Sequence, residues 1–176
     1  MDPTLESFRK SLIINAARVL DSCHMIRFSE EAGTFAATDL GRVASHYYIK
    51  HDSISTFNEG LKLSMGEADL LDIVAKSSEF ENINLKEEEM GELDDLQERA
   101  CRIPVKGGSE NRQGKVNILL QSYLSYASVD GFALVCDSAY IVQNSGRIFR
   151  GLFDMVLKRG WVSLAERLLT LSKMVE

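Results

Sequence analysis

A mainly α fold, a helical bundle built around one long helix, follows from three features of the sequence. Apolar residues recur at helical spacing over most of the chain. Runs with the period of a strand are confined to residues 25–38. Residues 137–159, DSAYIVQNSGRIFRGLFDMVLKR, keep helical spacing with no proline and no turn signal inside them. An apolar share of 45% in 176 residues supplies one core of ordinary size, and two prolines exclude a low-complexity or collagen-like chain.

Leu5, Phe8, Leu12, Ile13, Ala16, Val19 and Leu20 recur at helical spacing over residues 4–22, with Asp2-Pro3 as a start signal. MIRF at 25–28 and TFAAT at 34–38 read as strands. The five residues SEEAG between them, ending in glycine, fit a hairpin loop. A helix followed by a hairpin is how a winged-helix domain ends, so residues 1–38 are read as the C-terminal part of one. Strand pattern gives way to helices near Thr38, and residues 39–176 form the bundle. Thr38 or Asp39 caps the helix LGRVASHYYIKH, Ser53 starts the next, and Gly66 precedes EADLLDIVAKS. An acidic helix is expected over 86–101, a polar Gly-containing loop over 103–114, and a further helix over 115–126. A turn at 128–131 and a brief helical segment at 132–135 lead into the long helix 137–159. Gly160 closes that helix, with Lys158 and Arg159 in its last turn, and a final helix covers 161–174.

Several function classes are excluded or unsupported. No GxxxxGK[ST] and no GxGxxG occurs, and GGSEN at 107–111 follows no strand, so it reads as a flexible loop. His24, His46 and His51 form no ligand pair on one helical face, and His46 reads as a half-buried packing residue. Cys23, Cys101 and Cys136 have no C-x-x-C spacing. No metal site and no disulfide framework is expected, and the thiols fit a reduced, intracellular protein of the nucleus or cytoplasm. No apolar run is long enough to span a bilayer, and MDPTLESFRK lacks the apolar stretch of a signal peptide.

The run KEEEMGELDDLQER, with seven carboxylates between Glu87 and Glu98, reads as a solvated face over the apolar stripe Met90, Leu93, Leu96 and Ala100. Its other reading is a partner-docking surface. Tyr47 and Tyr48 could stack bases, but between Val43 and Ile49 on a helix both read as core residues, and Tyr123 and Tyr126 face the same judgement. Charge is unevenly spread: residues 1–98 carry 9 Lys/Arg against 20 Asp/Glu, and residues 99–176 carry 11 against 6. The acidic whole argues against indiscriminate duplex binding, while the basic half permits local contact with phosphates.

The long helix holds the candidate site. Tyr140, Asn144, Arg147 and Gly151 fall at i, i+4, i+7 and i+11, one stripe of the helix. An aromatic ring and a guanidinium about two turns apart suit a sequence-neutral grip on a single strand, since both stack on bases. The ordinary reading of the overlapping line Gln143, Arg147, Arg150, Asp154 and Lys158 is an exposed face carrying charge pairs.

The order of these blocks resembles one family. TDLGRVASHYYIK at 38–50, then ISTFNEGL, LLDIVAKSSEFENI and KVNILLQSYLS, resemble the Sec-63-type helical domain of large DExH-box helicases of superfamily II. DSAYIVQNSGRIFRGLFDMVLKRGW resembles that domain's ratchet helix. In this family two RecA-like domains bind ATP and magnesium and hydrolyse ATP. A winged helix joins them to the helical bundle, which closes a ring around one strand. In archaeal members an Arg and a Trp one heptad apart contact that strand, and matching the blocks puts Tyr140 and Arg147 there. The resemblance implies an excised, non-catalytic piece with no cofactor of its own. Its implied partners are single-stranded nucleic acid, the RecA-like domains of the same polypeptide and other subunits of a helicase complex. The alternative is a protein-interaction scaffold within such a complex.

Overall fold

The computed structural model describes residues 5–175; the expected Asp2-Pro3 start signal lies outside them. The described residues are mainly helical, with one two-stranded antiparallel hairpin among them. Helix α1 spans Glu6–Ser22, and strands β1 (Ile26–Ser29) and β2 (Thr34–Ala37) pair with Ile26 opposite Ala37 and Ser29 opposite Thr34. Then follow α2 (Asp39–Tyr47), α3 (His51–Gly60), α4 (Glu67–Ala75), α5 (Met90–Ala100), α6 (Arg112–Leu124), α7 (Phe132–Lys158) and α8 (Val162–Val175). Short 3-10 turns occur at Ser78–Phe80, Glu87–Glu89 and Gly108–Glu110.

Helix α6 is the axis of the bundle. Residues 114–122 are buried without interruption, so over its central turns this helix has no solvent face. It packs on α4, α5 and α7, while α7 also packs on α2 and α8. Ile118, Leu119, Phe149, Leu152, Leu93 and Leu168 belong to one continuous core. The polar side chains of α6 are satisfied inside that core. Gln121 accepts from Ile103 N (3.0 Å) and donates to Ile103 O (2.9 Å) and Asn117 Oδ1 (3.0 Å), which clamps the segment before α6. Such pairing removes most of the cost of burying an amide.

The hairpin meets the bundle at Thr38. Its hydroxyl lies 2.7 Å from His24 O and 2.9 Å from Met25 O, and accepts from Gly41 N at 3.1 Å, capping α2 as expected. Gly41 is packed so close to Met25 that a β-carbon would overlap its backbone carbonyl. The apolar side of α1, with Leu5, Phe8, Leu12, Ile13 and Val19, is exposed, as is Phe35 of β2.

Several boundaries differ from the sequence-based expectation, each for a tertiary reason. Helix α7 is continuous from Phe132 rather than broken before 137. Asp137 carries the signature of a helix cap, but its carboxylate pairs with Lys115 Nζ at 2.8 Å instead. Helix α3 starts at His51 rather than Ser53 because Glu79 accepts from Lys50 N at 2.8 Å, and the Ser53 hydroxyl also bonds to Glu79. Helix α6 starts inside the expected 103–114 loop, where Asn111 caps it by accepting from Gly114 N at 2.7 Å. The acidic run is not uniformly solvated: Glu89 is buried, and Glu92 accepts from Asp130 N (2.7 Å) and Gly131 N (3.0 Å) at the start of α7. His46 is exposed rather than half-buried, although its ring packs edge-on against Tyr47. Of the four tyrosines expected in the core, Tyr48, Tyr123 and Tyr126 are exposed. Adjacent residues on a helix point about 100° apart, so the Tyr47-Tyr48 pair cannot bury both rings against one neighbour.

Candidate nucleic-acid interface

Helix α7 is fastened along one side, and the fastening begins at its first turns. Glu92 holds the backbone at 130–131, and Arg99 Nη2 donates to Ser128 O at 2.7 Å. Lys115, fully buried, places its ammonium 2.5 Å from Glu89 Oε2, 2.8 Å from Asp137 Oδ2 and 2.8 Å from Asn84 O. Nothing in the pattern KVNILLQS marks that lysine as buried. At the far end Tyr47 donates to Asp154 Oδ2 at 2.9 Å, and Lys158 Nζ lies 3.5 Å from Asp39. Burial first, and then the bond to Asp154, pushes the Tyr47 phenol above its usual value of 10.

Between these anchors lie the residues of the expected stripe. Tyr140 is 42% exposed; its hydroxyl donates to Glu79 O at 3.0 Å, and its ring meets Phe80 edge-on. Asn144 donates to Tyr140 O at 2.8 Å and accepts from Arg147 Nε (3.2 Å) and Nη2 (2.7 Å). Arg147 Nη1 donates to Tyr47 O at 3.2 Å and also to Tyr48 O. These carbonyls lie at the C-terminal end of α2, where a cation is favoured. Tyr140, Asn144 and Arg147 are therefore joined in one hydrogen-bonded line. Gly151 does not join them at the surface. It is buried, and a β-carbon there would overlap Ile49 Cδ1, so the glycine serves the close packing of α7 against the end of α2.

The cations along this face are already engaged. Lys50 pairs with Glu81 at 2.7 Å; the carboxylate holds the ammonium above its ordinary value, and the ammonium holds Glu81 below its own. Most of the N–H groups of Arg147 are committed to Asn144 and α2. What remains open is aromatic surface: the Tyr140 ring, 42% exposed, and the Tyr48 ring, 85% exposed, beside the half-buried Arg147. Such a face suits bases better than phosphates. Tyr48 lies on the surface rather than in the core, and its place beside Tyr47 signals this, since only one of the two rings can face inward.

Among the described residues no group of three or more His, Cys, Asp and Glu side chains is placed to hold a metal. Also among them, no helix is long and apolar enough to cross a membrane.

Comparison with known proteins agrees with this architecture. The family model described as the Sec63 Brl domain matches residues 37–176. The chain is 51% identical over 176 residues, all of its length, to Activating signal cointegrator 1 complex subunit 3 of Gallus gallus, and spans 8% of that protein. It is 46% identical over 175 residues (99% of the chain, 8% of the relative) to a DExH-box ATP-dependent RNA helicase of Arabidopsis thaliana. It is 42% identical over 175 residues, again 99% of the chain and 8% of the relative, to the U5 small nuclear ribonucleoprotein 200 kDa helicase of Homo sapiens. With its family match covering α2 to α8 and its continuous 27-residue α7, the chain belongs to the Sec63 Brl domain family found in DExH-box helicases.

Proposed function

We propose that this domain grips a single nucleic-acid strand along α7 while other domains of a longer helicase drive its movement. The observation that carries the reading is the bonded line Tyr140–Asn144–Arg147, held between the Glu79 carbonyl and the end of α2 with the Tyr140 ring 42% exposed. A rigid platform loses little side-chain entropy when a base stacks on it. ATP and magnesium belong, on this reading, to RecA-like domains outside the chain. Residues 1–38 are proposed as the C-terminal part of a winged helix. The exposed apolar side of α1 supports that placement, since a patch of this kind marks a contact surface.

In a full-length helicase carrying the domain, Tyr140→Ala with Arg147→Ala should slow unwinding while leaving ATP binding intact. Normal unwinding by the double variant would sink the role. Binding of single strands by the isolated chain should depend weakly on salt, with a log–log slope of about −1 or shallower, because Lys50 is already ion-paired and Arg147 leaves a single charge on this face with most of its N–H groups engaged.

A second reading, a docking scaffold, is favoured by the exposed carboxylates Glu87, Glu88, Asp95 and Glu98. Its test is charge reversal at Glu87 and Glu88 alone, because Glu89 is buried against Lys115. Loss of protein partners with unwinding unaffected would support it, and unchanged partners would remove it.

A further inference from the structure

We propose that Tyr48 is a base-stacking residue, extending the α7 platform across to the end of α2; the inference rests on the strand-gripping reading above. Three observations carry it. First, the ring is 85% exposed, although it adjoins the buried Ile49 and the half-buried Tyr47. Secondly, its backbone sits at φ +52°, ψ +44°, a left-handed conformation that a residue with a β-carbon rarely adopts and that glycine or asparagine would occupy with less strain. Thirdly, that backbone is rigidly held. Its N–H bonds to Ser45 O at 3.4 Å, and its carbonyl accepts from Arg147 Nη1, the same guanidinium that completes the α7 line. Two residues on, Lys50 N donates to Glu79, whose carbonyl holds the Tyr140 hydroxyl. Tyr48 thus sits beside the platform on a strained but fixed backbone, where an aromatic contributes nothing to the core. Strain kept at an exposed aromatic points to a role in contact rather than in folding.

Tyr126 supplies an internal control. It too is left-handed, at φ +55°, and it is 96% exposed, but it follows α6 and has no bond to the α7 line. Replacing either residue by asparagine should relieve strain and raise the melting temperature by about 1–4 °C. Only Tyr48→Asn should weaken binding.

The experiment uses the 176-residue chain with an oligouridylate, and its deoxy counterpart, carrying 2-aminopurine or 5-iodouridine. Tyr48→Asn is expected to reduce strand affinity about 5- to 150-fold, the worth of one stacked base, and to abolish a photo-cross-link at position 48. Tyr48→Phe, which keeps the ring face, should bind as the unaltered chain does, and Tyr126→Asn should bind unchanged. Unaltered affinity in Tyr48→Asn, with affinity lost in Tyr140→Ala, would overturn the role of Tyr48 and leave the α7 grip standing. No cross-link to Tyr48 or to α7, with both variants binding as the unaltered chain does, overturns the two together.

Discussion

Lys115→Met is the perturbation whose size can be worked most directly. The side chain is fully buried, and its ammonium meets Glu89 at 2.5 Å, Asp137 at 2.8 Å and the Asn84 carbonyl at 2.8 Å. Methionine has similar length and is apolar, so little packing volume is lost. What is lost is the counter-charge of Glu89. Its other oxygen, Oε1, has no hydrogen-bond partner, and the nearest remaining cation, Lys86, is 3.9 Å away. Glu89 keeps only that long contact and the Lys86 N–H at 3.3 Å, so the loss approaches that of an uncompensated buried charge, about 3–5 kcal/mol. Asp137 is partly exposed, so solvent screens it and it adds about 0–1 kcal/mol. For a chain of this size each kcal/mol lowers the melting temperature by about 2–4 °C, so the single change should lower it by about 6–24 °C. Thermal unfolding followed by circular dichroism reads this out. Lys115→Met with Glu89→Met and Asp137→Asn should recover at least half of the loss, because the stranded charges go with their partner. Equal instability of the triple and the single variant would refute the argument from uncompensated charge. Because Asp137 lies in the early turns of α7, amide exchange near Tyr140 should also rise in the single variant.

Two glycines of α7 should respond with opposite sign. Gly146→Ala meets nothing within 4 Å and should stabilise by about 0.5–1 kcal/mol through helix propensity. Gly151→Ala overlaps Ile49, and overpacking of about 1–3 kcal/mol should outweigh the same propensity gain; matching melting temperatures would refute the close-packing role. Tyr47→Phe should cost about 1–2 kcal/mol at neutral pH by removing the bond to Asp154. The Tyr47 phenol is raised above 10 in the fold, so its contribution is complete below about pH 10 and lost as pH rises through the folded value. The stability difference between Tyr47→Phe and the unaltered chain should therefore close on the alkaline side; a gap that persists there would contradict the assignment.

The helices and the hairpin were legible in the residues because their causes are local. Helical spacing of apolar side chains, the Thr38 cap and Gly160, held at φ +73° after α7, all act within a few positions along the chain. The stripe Tyr140–Asn144–Arg147 was legible for the same reason, being a matter of position on one helix. Its surroundings were not. Arg147 is engaged by carbonyls about a hundred positions away, and Tyr47 bonds to Asp154 at a separation of 107. The turn at 128–131 was legible, but the break expected between 135 and 137 failed because Lys115 takes the Asp137 carboxylate, a choice between capping and pairing that depends on distant chain.

From sequence alone this protein is a mainly α bundle with a hairpin before it, a long helix bearing one polar stripe, and the order of blocks of a helicase-associated domain. Contacts between distant parts of the chain determine which groups hold that helix and which remain open. Lys115 and Glu89 turned inward as a pair, Gly151 became a packing site, and Tyr48 rather than Tyr47 was left on the surface. The physical reason is that periodicity specifies the direction in which a side chain leaves its own element. Burial and partnership depend on what the rest of the chain brings to meet it.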